Sequence, residues 1–164
     1  MGRTVLVGST GFVGGNLLAS HAFDAVCHST DVADQFGKGN DLVVYAGVPA
    51  AMRAARENLR RLAPKQAVLI SSVCVYADSR GKTESDEPEG AVLAPYGANR
   101  LQLEQWVRED FDSALIVRLP ALYGKGLKKN FLYDLHTVTP ALLRPAKYEE
   151  LAAKRLTPTP TTDW

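Results

Sequence analysis

The chain has 164 residues, of which 46% are hydrophobic and 23% charged, and its formal net charge is +1. This composition is typical of one globular domain, and it excludes a disordered, collagen-like or fibrous protein. No apolar run approaches the roughly 18 residues of a membrane-spanning helix, and the first residues lack the features of a secretory leader. The near-neutral balance gives no sign of nucleic-acid binding. We therefore expect a cytoplasmic protein with neither a membrane nor a nucleic acid as its partner.

Five short apolar runs alternate with helical stretches along the first 119 residues. The runs are nearly continuous in aliphatic and β-branched residues, which is typical of strands that are covered on both faces. The predicted strands span 4–8, 24–29, 41–47, 66–72 and 113–119, and the predicted helices span 12–22, 50–62 and 96–110. This alternation predicts a Rossmann-like α/β fold, in which a doubly wound parallel sheet of five strands lies between two helical layers, α/β/α.

Two connecting segments refine this topology. Residues 30–40 have room for about two helical turns and for no further strand, so the predicted strand order is 2-1-3-4-5. Residues 77–90 are polar and rich in turn formers, which indicates a surface loop between a strand and a helix.

Prolines interrupt the pattern after residue 120. We therefore predict a dinucleotide-binding Rossmann domain over 1–126 and a short, mostly helical C-terminal segment over 127–164. The helical pieces of that segment are predicted at 127–136 and 147–156, ahead of an unstructured tail.

The cysteines and histidines show no pattern of a metal site. Cys27 and Cys74 each lie in an apolar run, so we predict a buried, reduced structural thiol at both positions. His21, His28 and His136 share no ligand spacing with one another or with the cysteines, which predicts that the protein binds no metal.

A glycine-rich turn follows the first predicted strand. Gly8, Gly11 and Gly14 occur in GSTGFVGGNL, where that strand ends and the first helix begins. Glycines at such a point permit a tight turn, let the backbone approach a phosphate and let helix and strand pack closely. The helix start adds free N–H groups and the positive end of its dipole. A purely structural turn is the alternative, and the βαβ context favours a site for a dinucleotide pyrophosphate.

Five segments resemble, in order, those of the extended short-chain dehydrogenase/reductases, the NAD-dependent epimerase/dehydratase group. They are GSTGFVGGNL, DLVVYAG, LISSVCVYAD, PYGANR and VRLPALYGKG, and they lie within residues 3–126. The resemblance implies a bound NAD or NADP, a catalytic hydroxyl at Ser72 and a catalytic tyrosine at Tyr96 with Arg100 as its cation. The cofactor-binding residues that it implies are Gly8, Thr10, Gly11, Phe12, Val13, Gly14, Ser29, Ala46, Gly47, Tyr96 and Arg100.

Three departures from the family pattern bear on the chemistry. Arg100 stands where the family has a lysine four residues after the tyrosine, and a planar guanidinium offers different hydrogen bonds from an ammonium group. Ser29 stands where NAD-preferring members carry a carboxylate, and Asp31 follows two residues later, so the choice between NAD and NADP stays open. Residues 127–164 are short relative to the family's substrate domain. Either the protein is a shortened member, or a partner chain, such as the second copy in a homodimer, completes the site.

Two functions follow from these residues. In the first, the protein is an NAD(P)-dependent oxidoreductase, epimerase or dehydratase that acts on a sugar nucleotide or a similar polyol. Hydride transfer at a carbinol carbon needs a proton moved on or off the oxygen, which Tyr96 would do beside Ser72 and the Arg100 cation. In the second, the protein is a non-catalytic dinucleotide-binding sensor or interaction module. A flavodoxin-like protein that binds a mononucleotide would leave the segments around Ser72 and Tyr96 unexplained.

Overall fold

A computed structural model describes residues 2–47, 52–88 and 93–128, together with Tyr133, Glu149 and Ala153. The chain divides into two compact units, Met1–Leu122 and Tyr123–Trp164. In the second unit, Tyr133, Glu149 and Ala153 have helical backbone. The rest of the helical pieces predicted at 127–136 and 147–156, and the tail, lie outside the described residues. The division between residues 126 and 127 stays a prediction.

The first unit alternates strands and helices as the sequence predicts. The strands are β1 (Thr4–Val7), β2 (Ala25–Cys27), β3 (Leu42–Tyr45), β4 (Gln66–Ser72) and β5 (Ala114–Leu119), and the helices are α1 (Phe12–Ser20), α2 (Met52–Leu62) and α3 (Pro95–Asp110). Short 3₁₀ helices follow β2 at Val32–Gln35 and β4 at Val73–Val75. Each predicted strand and helix is present, with ends that differ by at most two residues.

The five strands form one parallel sheet in the order β2-β1-β3-β4-β5. This confirms the predicted Rossmann-like fold and its strand order. The 3₁₀ helix Val32–Gln35 takes up the short connection between β2 and β3, as expected for a stretch without room for another strand. β2 and β3 lie on opposite sides of β1, so the strand order reverses at this point. In open parallel sheets such a reversal forms a crevice at the carboxyl ends of the strands, where ligands bind.

The two faces of the sheet differ in burial, since the core lies on one face whereas Val26 and Leu115 on the other face are exposed. On one face, α2 and α3 pack against it and against each other. Val5 and Val7 belong to the core on the α2 and α3 side. Because successive strand side chains point to opposite faces, Leu6 points to the other face, and it is fully buried there. The core cluster consists of Val5, Val7, Cys27, Val32, Val43, Tyr45, Ala55, Leu59, Leu62, Ala67, Leu69, Leu103 and Val107.

An ion pair ties α2 to the last residue of α3. Arg56 donates to both carboxylate oxygens of Asp110, over 2.7 and 2.9 Å, and its guanidinium lies 5.0 Å from the centre of the Trp106 ring. The hydrogen bonds from Arg56 hold the pKa of Asp110 below its usual range. This contact fixes the end of α3 that lies farthest from Tyr96.

Candidate functional site

The glycine turn, residues Gly8–Gly14, joins β1 to α1 by close backbone contacts. Gly8 has φ +93°, a backbone conformation that residues other than glycine rarely adopt. A Cβ added there would lie 2.5 Å from the backbone nitrogen of Gly47. A Cβ at Gly14 would overlap the carbonyl oxygen of Gly8. The missing side chains therefore let the end of β3 and the first turn of α1 approach the end of β1.

Gly11 differs from the other two glycines because its surroundings are open. It is exposed, and the only atom within 4 Å of an added Cβ would be the carbonyl oxygen of Gly8, at 3.4 Å. The first hydrogen bond of α1 runs from the N–H of Gly15 to the carbonyl of Gly11, over 2.8 Å. The N–H groups of Phe12, Val13 and Gly14 precede this bond and have no partner within the helix. An open glycine beside free helical donors fits a pyrophosphate.

The end of β2 lies beside the glycine turn. The hydroxyl of Thr10 and Nδ1 of His28 are 3.2 Å apart, and the Cβ of Ser29 would be 3.8 Å from a Cβ added at Gly47. The structure thus brings Thr10, Ser29 and Gly47 together. The carboxylate of Asp31 accepts a hydrogen bond of 2.5 Å from the N–H of His28. One of its oxygens is therefore engaged within its own turn.

A buried tyrosine, which the sequence analysis did not single out, lies beneath the end of β3. Tyr45 is fully buried, and its hydroxyl has no hydrogen-bond partner among the described residues. Burial raises the pKa of Tyr45 above its ordinary value, and the nearby Asn58 and Arg100 offset only part of this effect. A Cβ added at Gly47 would lie 3.4 Å from this ring, so the backbone of Gly47 lies close to the ring of Tyr45.

The strand β4 ends at Ser72, and the chain turns there into a 3₁₀ helix. The hydroxyl of Ser72 accepts a hydrogen bond of 3.2 Å from the N–H of Cys74 and so caps that helix. Cys27 is buried as predicted, and burial raises its pKa to about 11. The prediction of a buried thiol at Cys74 is wrong, because the 3₁₀ helix breaks the strand alternation and leaves this residue exposed.

Tyr96 and Arg100 lie one turn apart at the start of α3. The ring of Tyr96 is 48% exposed, whereas Arg100 is only 6% exposed. Nε of Arg100 donates to the hydroxyl of Tyr96 over 3.3 Å, and Nη1 donates to the carbonyl of Ile70 over 3.4 Å. Within the described part of the chain, Arg100 has no carboxylate partner. A buried cation thus lies directly behind an exposed phenol.

Gly97, the residue after Tyr96, is a functional position that the sequence analysis did not assign. A Cβ there would overlap the carbonyl oxygen of Cys74. Its bare backbone therefore lets the first turn of α3 contact the 3₁₀ helix that follows Ser72. A glycine in the first turn of a predicted helix was the available signal, since glycine is otherwise unfavourable there.

We call Ser72, Tyr96 and Arg100 together the tyrosine site. The structure joins Tyr96 to Arg100 directly and joins Arg100 to Ile70, two residues before Ser72 on β4. Among the described residues, the hydroxyl of Ser72 makes no hydrogen bond to Tyr96 or Arg100. The hydroxyl that Ser72 would contribute therefore lies on the neighbouring turn without a direct bond to the other two.

Two further properties concern the described residues alone. None of their helices is long and apolar enough to cross a membrane. Across residues 2–47, 52–88 and 93–128, no group of three or more His, Cys, Asp and Glu side chains has the geometry to hold a metal ion.

Comparison with known proteins gives one family. The model of the NAD dependent epimerase/dehydratase family matches residues 16–162, which is most of the chain and begins just after the glycine turn. No match was found among curated proteins.

Several solved structures share the fold. A dTDP-4-dehydrorhamnose reductase from Bacillus anthracis, in complex with NADP, has 19% identity and a TM-score of 0.65, and the match covers 84% of this chain and 59% of that one. A reductase of the same name from Yersinia enterocolitica has 17% identity and a TM-score of 0.62, with 82% and 59% covered. A UDP-glucuronic acid 4-epimerase from Bacillus cereus, in complex with NAD, has 17% identity and a TM-score of 0.55, with 74% and 57% covered. The chain thus spans less than two thirds of the length of each.

Proposed function

Because the chain belongs to the NAD dependent epimerase/dehydratase family, we propose that it binds NAD or NADP and acts on a sugar nucleotide or a similar polyol. The reaction class is oxidoreduction, epimerisation or dehydration that begins with hydride transfer at a carbinol carbon. Support for the substrate class comes from the similar structures, which are sugar-nucleotide reductases and epimerases by name.

The glycine turn supplies the groups that would hold the dinucleotide. The open backbone at Gly11 and the free N–H groups of Phe12, Val13 and Gly14 would bind the pyrophosphate. Thr10, Ser29, Ala46 and Gly47 would border the adenosine half, and Tyr96 and Arg100 the nicotinamide half. When bound, the nicotinamide supplies the acceptor or donor of the hydride.

The observation that carries the catalytic proposal is the hydrogen bond from the buried Arg100 to the hydroxyl of Tyr96, a residue that is half-exposed. As a phenolate, Tyr96 takes the proton from the substrate hydroxyl during oxidation, and as the resulting phenol it returns the proton during reduction. A guanidinium carries a positive charge, and here that charge lies within hydrogen-bond distance of the phenol oxygen. The N–H groups of Arg100 that have no hydrogen-bond partner among the described residues would donate to ribose hydroxyls.

Ser72 would orient the substrate from the end of β4. Its oxygen accepts the N–H of Cys74, but a hydroxyl that accepts one hydrogen bond still has its own O–H to donate. That O–H would reach the substrate oxygen from the side opposite to Tyr96. Binding in a fixed orientation would then leave Tyr96 as the only group that moves a proton.

The second candidate function is a non-catalytic dinucleotide-binding module. Two observations favour it, namely the arginine in place of the family's lysine and the absence of a direct hydrogen bond between Ser72 and Tyr96. Such a protein would bind the dinucleotide through the same glycine turn, and the phenol of Tyr96 would serve only to contact the ribose.

The test combines dinucleotide titration with turnover. We expect the purified chain to bind NADH or NADPH and to convert at least one member of a panel of UDP-linked and dTDP-linked sugars. Tyr96→Phe should reduce turnover by about 100-fold, the size of a general acid/base contribution, with nearly unchanged dinucleotide affinity. Arg100→Lys is the matched variant, since it keeps the positive charge and replaces the planar guanidinium by an ammonium group.

Each outcome separates the two functions. Higher activity of Arg100→Lys would identify the arginine as a handicap, and lower activity would show that the site depends on the guanidinium. Dinucleotide binding without turnover by the wild type or by Arg100→Lys would leave the binding module as the function. Failure to bind either dinucleotide would contradict both.

A further inference from the structure

Helix α3 carries a completely buried carboxylate on the same face as the tyrosine site. Glu104 has no exposed surface and follows Tyr96 and Arg100 at intervals of four residues, so the three side chains lie along one side of the helix. A buried carboxylate without partners is strongly unfavourable. Its partners therefore determine where α3 can lie.

Both partners of Glu104 come from the sheet. Nε and Nη2 of Arg118 both donate to Oε2 of Glu104, over 3.1 and 2.9 Å, and Nε also lies 3.3 Å from Oε1, which accepts a hydrogen bond of 2.5 Å from the hydroxyl of Ser71. Ser71 and Arg118 face each other in the register of β4 and β5, so both side chains point to the same face of the sheet. The charge-assisted hydrogen bonds from Arg118 and the hydrogen bond from Ser71 together attach α3 to two strands, β5 and β4.

The remaining arm of Arg118 reaches the loop that follows β4. Nη1 donates to the hydroxyl of Tyr76 over 2.6 Å and to the carbonyl of Asp86 over 3.1 Å. The hydroxyl of Tyr76 donates in turn to that carbonyl over 2.7 Å. Burial lowers the pKa of Arg118, but the hydrogen bonds and charge of Glu104 raise it above its ordinary value. One guanidinium thus joins the buried acid of α3 to both ends of the segment 76–86.

We infer that Glu104 and Arg118 are positioning residues that hold the start of α3 and the loop 77–86 in one arrangement around Ser72. Neither side chain would touch substrate or cofactor. They would act through Tyr96 and Arg100, whose helix they fix, and through Ser72, which directly follows Ser71. The catalytic part of this inference rests on the proposed function, whereas the joint fixing of helix and loop does not.

The principal variant is Glu104→Gln, which keeps the size of the side chain and removes its charge. Turnover should fall by about 10- to 100-fold, the effect expected when reacting groups are displaced by about 1 Å, while dinucleotide affinity stays nearly unchanged. Arg118→Lys retains the charge without the fork and should keep an intermediate turnover. Asp110→Asn is the matched control, because it removes an ion pair from the other end of the same helix and should leave turnover unchanged.

Two measurements separate positioning from stability alone. Turnover is divided by the fraction of folded protein, as measured by circular dichroism, so a variant that merely unfolds keeps its normal rate per folded molecule. Hydrogen exchange is followed by mass spectrometry in residues 96–100 and in residues 77–86. We expect Glu104→Gln and Arg118→Lys to accelerate exchange in both regions together, and Asp110→Asn in neither.

A normal turnover per folded molecule in both Glu104→Gln and Arg118→Lys would overturn the catalytic part. Faster exchange in only one of the two regions would overturn the joint fixing. If the wild type binds dinucleotide and turns over no substrate, the proposed catalytic function fails, and the exchange measurement still decides whether helix and loop are fixed together. If Glu104→Gln does not fold, Arg118→Lys and Ser71→Ala, which removes only one hydrogen bond, provide the same comparison.

Discussion

The glycine turn and the tyrosine site both lie at the carboxyl ends of the strands, but one is formed by backbone and the other by side chains. The glycine turn depends on the backbone, since Gly8 and Gly14 lie too close to neighbouring backbone for a side chain. The tyrosine site is made of side chains, and a buried cation supports its exposed phenol. The glycine turn depends on close contacts between backbone atoms, and the tyrosine site depends on hydrogen bonds made by side chains. This difference explains why the two respond differently to substitution.

Two substitutions in the glycine turn should have separate effects, one on dinucleotide affinity and the other on the stability of the fold. We expect Gly11→Val to abolish dinucleotide binding with little change in stability, because the added side chain would meet open space where the pyrophosphate should lie. Gly14→Val is its matched partner and should destabilise the fold by about 1–3 kcal/mol or more, because the side chain would overlap Gly8. Fluorescence titration with NADH and NADPH and chemical denaturation measure the two effects.

Two results would contradict this assignment of roles. Unchanged dinucleotide affinity in Gly11→Val would mean that the pyrophosphate does not approach this backbone. Full stability of Gly14→Val would mean that the close contact between α1 and the end of β1 is not needed for the fold.

Gly97 tests whether the tyrosine site also depends on a bare backbone. We expect Gly97→Val to destabilise the protein by about 1–3 kcal/mol, since its side chain would force α3 away from the carbonyl of Cys74. Ala98→Val, at the exposed next position, controls for placing a β-branched residue in the helix. Equal denaturation midpoints for the two variants would show that the first turn of α3 can move without loss.

The smallest expected effect concerns the far end of α3. Asp110→Asn should lower the free energy of unfolding by up to about 1 kcal/mol at pH 7, the usual size for such an ion pair. The pKa of Asp110 is lowered in the folded protein by its hydrogen bonds from Arg56, so the contribution is present above the pKa of an unfolded aspartate, about 3.9. It is lost as the pH falls through the folded pKa.

Denaturation at several pH values checks this sign. The difference between the wild type and Asp110→Asn should shrink on acidification below pH about 4. A difference that grows on acidification would contradict the assigned ion pair, and a change in turnover per folded molecule would remove Asp110→Asn as a control for Glu104→Gln.

Much of the fold could be predicted because a parallel sheet imposes a simple pattern. Strands that are covered on both faces need continuous apolar runs, and the short stretch 30–40 left the strand order with one solution. The positions of Gly8 and Gly14 could be predicted from their spacing, because Gly14 contacts Gly8 within the turn itself, whereas the contact of Gly8 with Gly47 appears only in the fold.

The remainder depends on contacts that no local pattern encodes. Cys74 has apolar neighbours, yet it is exposed because the chain leaves β4 at Ser72 and turns. Glu104 reads as an ordinary surface acid of an amphipathic helix, and only the register of β4 with β5 reveals that Ser71 and Arg118 meet it. The contact between Thr10 and His28 likewise joins two connections that are separated by a helix.

The pairing of Glu104 with Arg118 also constrains how this chain can change over generations. Loss of one partner would leave the other charge buried without compensation, at a cost of about 3–5 kcal/mol, whereas replacing both by well-packed apolar residues can be neutral. Single substitutions at either position would therefore be removed by selection, and double substitutions would survive. Residues 104 and 118 should therefore covary, and an alignment of homologues should show them retained together or replaced together.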